Sequence, residues 1–320
     1  MISTSQNIKI QKPFLKWVGG KTQIIHHIMQ QFPKEMNHYH EIFLGGGSVL
    51  LALLSYAKAE AITIHGTVHA YDLNEPLIHL YKNIQSFPIE LFQEVEQIVK
   101  EYKECASTSD STKAKRRPSC LEEAKSSQES YYYWVRKTYN NLSNEEKNTT
   151  FGSALFLFLN KTCFRGLFRI GPSGFNVPFG HYKNPKVIDF QQVFIVHELI
   201  QPVVFKVADF STSIQQAKED DFVYLDPPYA PEKETSFVGY TSSGFSMKEH
   251  QTMFELIHSA LDQLCVKMMM SNSDVPLTRE AFKDASYTIQ SVRCKRAIHS
   301  KKPESKTNEI IVTNYQDITT

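Results

Sequence analysis

The tetrapeptide Asp226-Pro227-Pro228-Tyr229 carries residue types that can hold a planar amine. It follows the apolar run Phe222–Leu225, which predicts a buried strand. Because consecutive prolines cannot donate to a sheet ladder, we expect the strand to end there. At such an end, the carboxylate and the proline carbonyls can accept the N–H hydrogens of an exocyclic amine, and the phenol ring can stack on a base. A turn that only ends the strand is the alternative interpretation.

A glycine turn and an acidic residue follow two earlier predicted strands. Gly45-Gly46-Gly47 stands between a strand near 38–43 and a helix over 49–59. Glycines let the backbone approach a ligand, and a helix N-terminus offers free N–H groups. Asp72 ends the next predicted strand, 68–71. In nucleotide-binding α/β folds an acid at this position binds ribose hydroxyls, so the pair predicts a nucleotide-like cofactor.

The segment Gly19-Gly20-Lys21-Thr22 partly matches a phosphate-binding P-loop. The match is incomplete, because Leu15 occupies the position of the first glycine and no clean apolar strand precedes it. Lys21 beside Trp17 suits a different role, in which an ammonium and an aromatic face bracket a small zwitterionic ligand. Packing of Trp17 in a core is the alternative.

The order of predicted elements indicates an α/β fold with a Rossmann-like sheet and an inserted, mostly helical module. Residues 1–86 and 191–320 are expected to form the sheet domain, and residues 87–190 the insertion. Later elements are a helix over 247–264 and five further strands, predicted at 203–207, 222–226, 266–271, 287–292 and 309–314. Loops are expected at Ala106–Ser119 and Pro231–Ser246, and a basic linker at Arg296–Lys306.

The composition indicates a folded protein, and the distribution of charge indicates that it binds a polyanion. Of the 320 residues, 41% are hydrophobic and 22% charged. Residues 100–190 carry a net charge of +6 and residues 293–306 one of +5, so the rest of this +1 chain is near −10. The five cysteines form no Cys-x-x-Cys pair, so no metal site is expected. With no long apolar run and no signal-like N-terminus, we expect a reduced, cytoplasmic protein without membrane contact.

Taken together, these motifs resemble the DNA adenine-N6 methyltransferases of the Dam and DpnII type. The resemblance spans nearly the whole chain and keeps the order of cofactor segment, recognition region and catalytic tetrapeptide. It is carried by Pro13–Lys21, Glu41–Ser48, Tyr71–Asn74, Phe175–Gly180, Asp226–Tyr229 and the tail from Lys301–Pro303 to Asn308-Glu309. Ile42 stands where the family usually has proline, which leaves backbone approach at the turn intact.

The resemblance implies transfer of a methyl group from S-adenosyl-L-methionine to N6 of an adenine flipped out of double-stranded DNA. Asp226, Pro227 and Tyr229 would be the catalytic residues. The implied cofactor residues are Trp17, Lys21, Phe43, Gly45, Gly47, Asp72, Asp209, Phe210 and Asp226. The implied DNA-binding residues are Lys16, Arg165, Arg169 and Pro178.

The target sequence stays open between GATC and a relative such as CATG. Arg165 precedes Gly166, where relatives that bind GATC often carry Asn. An Arg fork suits guanine, whereas Asn pairs with adenine. The resemblance is compatible with a restriction–modification system, whose endonuclease would form no stable complex, and with a solitary methylase. It also implies a monomer or weak dimer, in a bacterial cytoplasm or, for a viral source, in the host cell.

Two rival functions remain at this point. One is an N-methyltransferase for RNA or for a protein amide, because a planar amide resembles the amine edge of adenine. The other is a binding module that has lost catalysis. The basic, aromatic-rich insertion favours duplex DNA over the first rival, and the intact Asp226 and Tyr229 argue against the second.

Overall fold

The computed structural model describes residues 8–105, 114–230, 245–262, 264–295 and 306–316. Most of the three predicted loop and linker segments, and the Lys301–Pro303 motif, lie outside these ranges. The chain divides into two compact units. The sheet unit comprises residues 1–12, 19–73 and 202–320, and the helical unit comprises residues 13–18 and 74–201. The helical unit thus extends beyond the predicted insertion, 87–190, on both sides, and the functional division of the chain stays a prediction.

The described residues contain eleven strands, most of them short. In chain order they are β1 (Glu35–Met36), β2 (Tyr39–Glu41), β3 (Thr63–Ile64), β4 (Val68–Asp72), β5 (Ile170–Gly171), β6 (Gly174–Phe175), β7 (Val203–Val207), β8 (Phe222–Leu225), β9 (Lys267–Ser273), β10 (Thr288–Lys295) and β11 (Lys306–Thr313).

Seven of these strands form one sheet in the described part of the chain, in the order β10-β11-β9-β8-β2-β4-β7. Strands β7, β4, β2, β8 and β9 are parallel, and β11 is antiparallel to both its neighbours. The chain leaves β2 for β4 and β7 on one side and returns to β8 and β9 on the other. The topological switch point, where such sheets bind ligands, therefore lies beside β2. The predicted Rossmann-like α/β fold is confirmed.

The centre of the sheet is buried on both faces, as expected for parallel strands covered by helices. All four residues of β8 are fully buried, and so is the Met268–Met270 run in β9. Ile310–Val312 of β11 extends the same core. Strand β8 ends at Leu225, so the two prolines stop the strand where the sequence predicted.

Twelve α-helices occur in the same ranges, together with short 3₁₀ turns. They are α1 (Ile25–Gln30), α2 (Ser48–Lys58), α3 (Glu75–Ser86), α4 (Pro88–Glu104), α5 (Leu121–Ala124), α6 (Gln128–Asn141), α7 (Asn144–Lys147), α8 (Thr150–Thr162), α9 (Phe190–Leu199), α10 (Phe210–Ile214), α11 (Met247–Leu256) and α12 (Pro276–Ala281). The helix predicted to reach residue 264 is shorter as an α-helix, since a π-helical turn, Ile257–Asp262, follows α11. No described helix is long and apolar enough to cross a membrane.

The helical unit is built around α8, which is buried along most of its length. Helices α3, α4 and α6 pack against it. Side chains cap several of these helices: Asn74 accepts from a backbone N–H of α3, Ser127 from one of α6 and Thr149 from one of α8. The glycine- and proline-rich region after α8 holds the 3₁₀ turn Phe164–Gly166 and the β5–β6 hairpin.

Candidate active site

Three strand ends bring the predicted residues of the sheet unit to one edge. Glu41, the last residue of β2, lies opposite Ala70 of β4 and Tyr224 of β8. Because these strands are parallel, the segments that follow them emerge at the same edge. The edge therefore holds the glycine turn after β2, Asp72 at the end of β4 and Asp226 directly after β8.

The glycine turn adopts a backbone that side chains disfavour. Gly45 has φ 49° and Gly47 has φ 67°, both in the left-handed region. The backbone N–H of Gly45 donates to Oδ2 of Asp72 at 2.9 Å, which joins the two predicted cofactor elements directly. Helix α2 begins at Ser48, and its N-cap residue is Gly47, which has no side chain to cap it. The turn thus holds a glycine backbone, with no side chain over it, against the Asp72 carboxylate.

A buried ion pair connects the N-terminal motif to the tetrapeptide. Nζ of Lys21 lies 2.6 Å from Oδ1 of Asp226, and the two side chains are 2% and 18% exposed. The same ammonium donates to the carbonyl of Gly19 at 2.8 Å, and the Lys21 backbone N–H donates to Oγ of Ser48 at 3.1 Å. The incomplete P-loop motif therefore places a lysine against the predicted catalytic carboxylate.

Burial and the Lys21 ammonium shift the pKa of Asp226 in opposite directions. Desolvation raises the pKa of Asp226 to about 6, and the nearby Glu309 also raises it, while the Lys21 ammonium lowers it. Asp226 is therefore mostly ionised at neutral pH and can accept hydrogen bonds as a carboxylate. A carboxylate at this strand end, held by one cation, can polarise an amine placed next to it.

Tyr229 stands beside the same ion pair. Its ring centroid is 4.9 Å from Nζ of Lys21. Desolvation raises the pKa of its phenol far above the usual range, and Asp226 and Glu309 raise it further. The phenol therefore stays protonated and neutral, which suits an aromatic surface for stacking. Of the predicted catalytic residues, Pro227 is buried and Tyr229 is partly exposed.

Glu41 is a site residue that the sequence analysis quoted only as part of a motif. Its carboxyl is buried, and Oε2 accepts a hydrogen bond from the Tyr39 hydroxyl at 2.8 Å. Burial raises the pKa of Glu41 to about 8, and the charges of Asp226 and Asp72 add to this. Glu41 is thus mostly protonated at neutral pH. The available signal was a glutamate at the last position of a buried strand, next to the glycine turn.

Phe43 and Phe210, both predicted to bind the cofactor, contact each other in the sheet unit. Their rings stack with centroids 6.3 Å apart, and Phe245 packs edge-on against both. Asp209 is the N-cap of α10, where Oδ1 accepts from the Thr212 backbone N–H at 2.7 Å. This hydrogen bond and one from the Ser211 hydroxyl lower the pKa of Asp209. Its carboxylate has a clear structural role, and its predicted cofactor contact stays untested.

Trp17 belongs to the helical unit rather than to the sheet unit that contains Lys21. There its ring stacks on that of Phe168, with centroids 6.2 Å apart. This contact explains the position of Trp17 by aromatic packing. Its role in cofactor binding stays a prediction.

Three of the predicted DNA-binding residues are linked within the helical unit. Nζ of Lys16 lies 3.6 Å from the ring centroid of Tyr182, whose hydroxyl accepts from the Arg165 backbone N–H at 3.0 Å. Arg165 has a left-handed φ of 56° and an exposed side chain. The Pro178 carbonyl accepts from the backbone N–H of Phe164 at 2.8 Å. Lys16, Arg165 and Pro178 therefore share one small cluster.

The fourth predicted residue, Arg169, lies at the start of the β5–β6 hairpin. Its Nε donates to Oδ1 of Asn176 at 2.6 Å, and its side chain is exposed. Near the cluster, burial and the positive charge of Lys16 lower the pKa of Lys161 to about 8. This region thus concentrates positive charge. Across the described residues, no group of His, Cys, Asp and Glu is arranged to hold a metal ion.

Comparison with known proteins gives a consistent result. Residues 17–298 match the family described as D12 class N6 adenine-specific DNA methyltransferase. The chain is 34% identical to the type II methyltransferase M.MjaIII of Methanocaldococcus jannaschii, over 95% of this chain and 99% of that protein. It is 32% identical to the type II methyltransferase M1.LlaDCHI of Lactococcus lactis, over 95% of each. It is 28% identical to the DNA adenine methylase of Escherichia coli K12, over 97% of each.

Proposed function

Because this chain belongs to the D12 class of N6 adenine-specific DNA methyltransferases, we propose that it moves the methyl group of S-adenosyl-L-methionine to N6 of a flipped-out adenine in a short duplex site. The observation that carries this proposal is the Lys21–Asp226 ion pair with Tyr229 beside it, at the carboxyl end of β8. This arrangement offers an ionised acceptor and an aromatic surface at one point of the sheet edge.

The residues at this edge fit S-adenosyl-L-methionine. The Phe43–Gly47 turn would lie against its methionine part, since glycines leave no side chain between the backbone and a ligand. Asp72 would accept from the ribose hydroxyls, and Phe210 would flank the adenine. When bound, the cofactor supplies an electrophilic methyl group on a sulfonium. Lys21 would contact its carboxylate while keeping Asp226 ionised.

The tetrapeptide would hold the target adenine for an in-line displacement. Tyr229 stacks on the everted base, and Asp226 and the Pro227 carbonyl accept hydrogen bonds from the N6 amine. Both acceptors increase the electron density on nitrogen and orient its lone pair, so position and polarisation replace a covalent intermediate. The amine would displace the thioether S-adenosyl-L-homocysteine, whose sulfur keeps the electron pair of the broken S–CH3 bond, and would then release one N6 proton to water. Flipping costs a few kcal/mol, which base stacking and hydrogen bonding at the tetrapeptide offset.

The exposed and basic residues of the helical unit would bind the duplex. Lys16, Arg165, Arg169 and Pro178 are proposed to contact the bases or the backbone of the target. Phosphate contacts give an affinity that falls with salt, and the Arg165 fork favours a guanine. A GATC site and a CATG-like site both remain open. We also propose that the enzyme acts as a monomer or weak dimer, without a stable complex with any cognate endonuclease.

The proposal is tested by methyl transfer from labelled S-adenosyl-L-methionine to duplex DNA, RNA and protein offered side by side. We expect label in duplex DNA alone. Asp226→Ala should abolish transfer and leave duplex binding within about twofold, while Asp284→Asn, a change at an exposed acid of the same unit, should leave both unaltered. Label in RNA or protein instead, or a fully active Asp226→Ala enzyme, would refute the proposal.

The target sequence is tested separately. Sequencing that detects N6-methyladenine, applied to DNA from cells expressing the chain, would give the methylated motif directly. Resistance of that DNA to an endonuclease that cuts the same motif would show that the modification can protect a genome, as a restriction–modification role requires.

A further inference from the structure

His250 is a buried side chain that the sequence analysis did not single out, and it reaches the tetrapeptide from α11. Its Nε2 lies 2.9 Å from the carbonyl oxygen of Pro228, the residue before Tyr229. Its Nδ1 lies 2.9 Å from the carbonyl oxygen of Ser246, at the start of its own helix. The ring is fully buried and packs edge-on against Phe245, with centroids 4.6 Å apart.

The Ser246 and Pro228 carbonyls differ in whether a donor other than the His250 ring reaches them. Carbonyl oxygens only accept, and a neutral imidazole has one N–H to donate. Burial lowers the pKa of His250, which keeps the ring neutral. The Ser246 carbonyl already receives the helical N–H of His250 at 3.1 Å. For the Pro228 carbonyl, the described residues offer no other donor. Hydrogen bonding is therefore best satisfied when the proton sits on Nε2 and is donated to Pro228.

Tyr229 is fixed on its other flank by β9. The backbone N–H of Ala230 donates to Oδ1 of Asn272 at 3.0 Å, and the Ala230 carbonyl accepts from Oγ of Ser273 at 2.7 Å. The peptide group before Tyr229 is thus held by α11, and the residue after it is held by β9. Loss of the first anchor would free the Pro228 peptide to rotate while the second stays in place.

We propose that His250 is a positioning residue: through Nε2 it holds the Pro228 carbonyl and so sets the orientation of Tyr229 and of the adjoining Pro227 carbonyl. This inference rests on the proposed methyl transfer to a flipped adenine. Misplacement of a stacking ring and an acceptor by a fraction of an ångström lowers the rate of the chemical step. His250 touches neither substrate nor cofactor in this account, so binding of both should be preserved.

A pair of amide substitutions separates the two ring nitrogens. In His250→Gln the side-chain amide nitrogen is as many bonds from Cα as Nε2, so it can donate to Pro228. In His250→Asn the amide corresponds to Nδ1 and reaches only Ser246. We expect single-turnover methylation by His250→Gln within about threefold of wild type, and a loss of about tenfold or more in His250→Asn. The KM for cofactor and the Kd for duplex should change less than twofold in both.

A second readout uses the flipped base itself. With 2-aminopurine at the target position, stacking on Tyr229 quenches fluorescence, so His250→Asn should show brighter emission than His250→Gln at equal occupancy. A purely structural histidine would give His250→Gln and His250→Asn equal methylation rates and equal 2-aminopurine emission, apart from differences that follow their melting temperatures. That result would overturn the proposal.

The wild-type protein provides a test that needs no variant. ¹⁵N-resolved NMR of the imidazole should find the proton of His250 on Nε2, and a proton on Nδ1 would contradict the assignment. If wild type transferred no methyl group to DNA while the Nε2 tautomer was present, the proposed function would fail and the contact would stand. If wild type were active and the two variants behaved alike, only the positioning role would fail.

Discussion

Removal of the Lys21 ammonium should shift the pH dependence of methyl transfer. Lys21→Met keeps most of the aliphatic stem and deletes the charge that lies 2.6 Å from Asp226. With the lysine present, the pKa of Asp226 is about 6. Burial and Glu309 raise that pKa and Lys21 opposes them, so its loss leaves only influences that favour the protonated acid. A protonated Asp226 accepts hydrogen bonds from an amine more weakly than a carboxylate does.

The size of the shift follows from the burial of the pair. Breaking a buried ion pair from one side costs about 3–5 kcal/mol. One pKa unit corresponds to about 1.36 kcal/mol, so in Lys21→Met the midpoint of the pH–rate profile should rise by roughly 2–4 pH units, to about 8–10. At pH 7.5 the ionised fraction of Asp226 would then fall to about a quarter or far less. We expect the methylation rate of Lys21→Met at pH 7.5 to fall in proportion to this ionised fraction. Part of the rate should return as the pH approaches 9.5.

The assay is single-turnover methylation of duplex DNA between pH 5 and 9.5, at saturating S-adenosyl-L-methionine and DNA. Saturation separates the electrostatic effect from weaker cofactor binding, because Lys21 is also a proposed cofactor residue. Lys21→Arg, which keeps the charge, is the matched control and should keep the midpoint within about one pH unit of wild type. A Lys21→Met profile that superimposes on that of wild type would show that the ion pair does not control Asp226.

Three further outcomes are expected. The pKa of Glu41 is higher in the folded chain, about 8, than in the unfolded one, so its contribution to stability is complete below about pH 4.5 and is lost as pH rises through 8. Chemical denaturation should therefore show that Glu41→Gln removes a decline in unfolding free energy of up to about 3.5 kcal/mol between pH 5 and 8. Parallel curves for the two proteins would contradict this. Gly45→Ala, at φ 49°, should lower stability by about 1–2 kcal/mol and weaken cofactor binding more than Gly46→Ala does, as thermal melts and calorimetric titration can check. Arg165→Ala should cost about 1–3 kcal/mol of duplex affinity and relax sequence preference at one base pair, and equal losses on cognate and random duplexes would instead indicate a phosphate contact.

Local patterns in the sequence predicted the sheet edge well. Two prolines after an apolar run located the end of β8, since a residue without an N–H cannot extend a ladder whatever surrounds it. Glycines before an apolar helical run located the turn after β2, and Asp72 was correctly predicted at the end of the next strand, β4. The π-helical turn after α11 was not predicted, because an extra residue in a helical turn changes periodicity too little to be read from sequence.

The family was identified from the sequence alone, because residue types and their order in the chain suffice for that, and the catalytic roles proposed here start from the same motifs. Only the tertiary structure decided which side chains meet. It paired Lys21 with Asp226, placed Trp17 with the helical unit, and set His250 against Pro228. It also buried Glu41 deeply enough to raise its pKa to about 8. Such contacts join residues distant in the chain and leave no local signal in the sequence. The position of Glu41 at the end of a buried strand was such a signal, but the depth of burial, which sets the size of the pKa shift, depends on every element packed around the group.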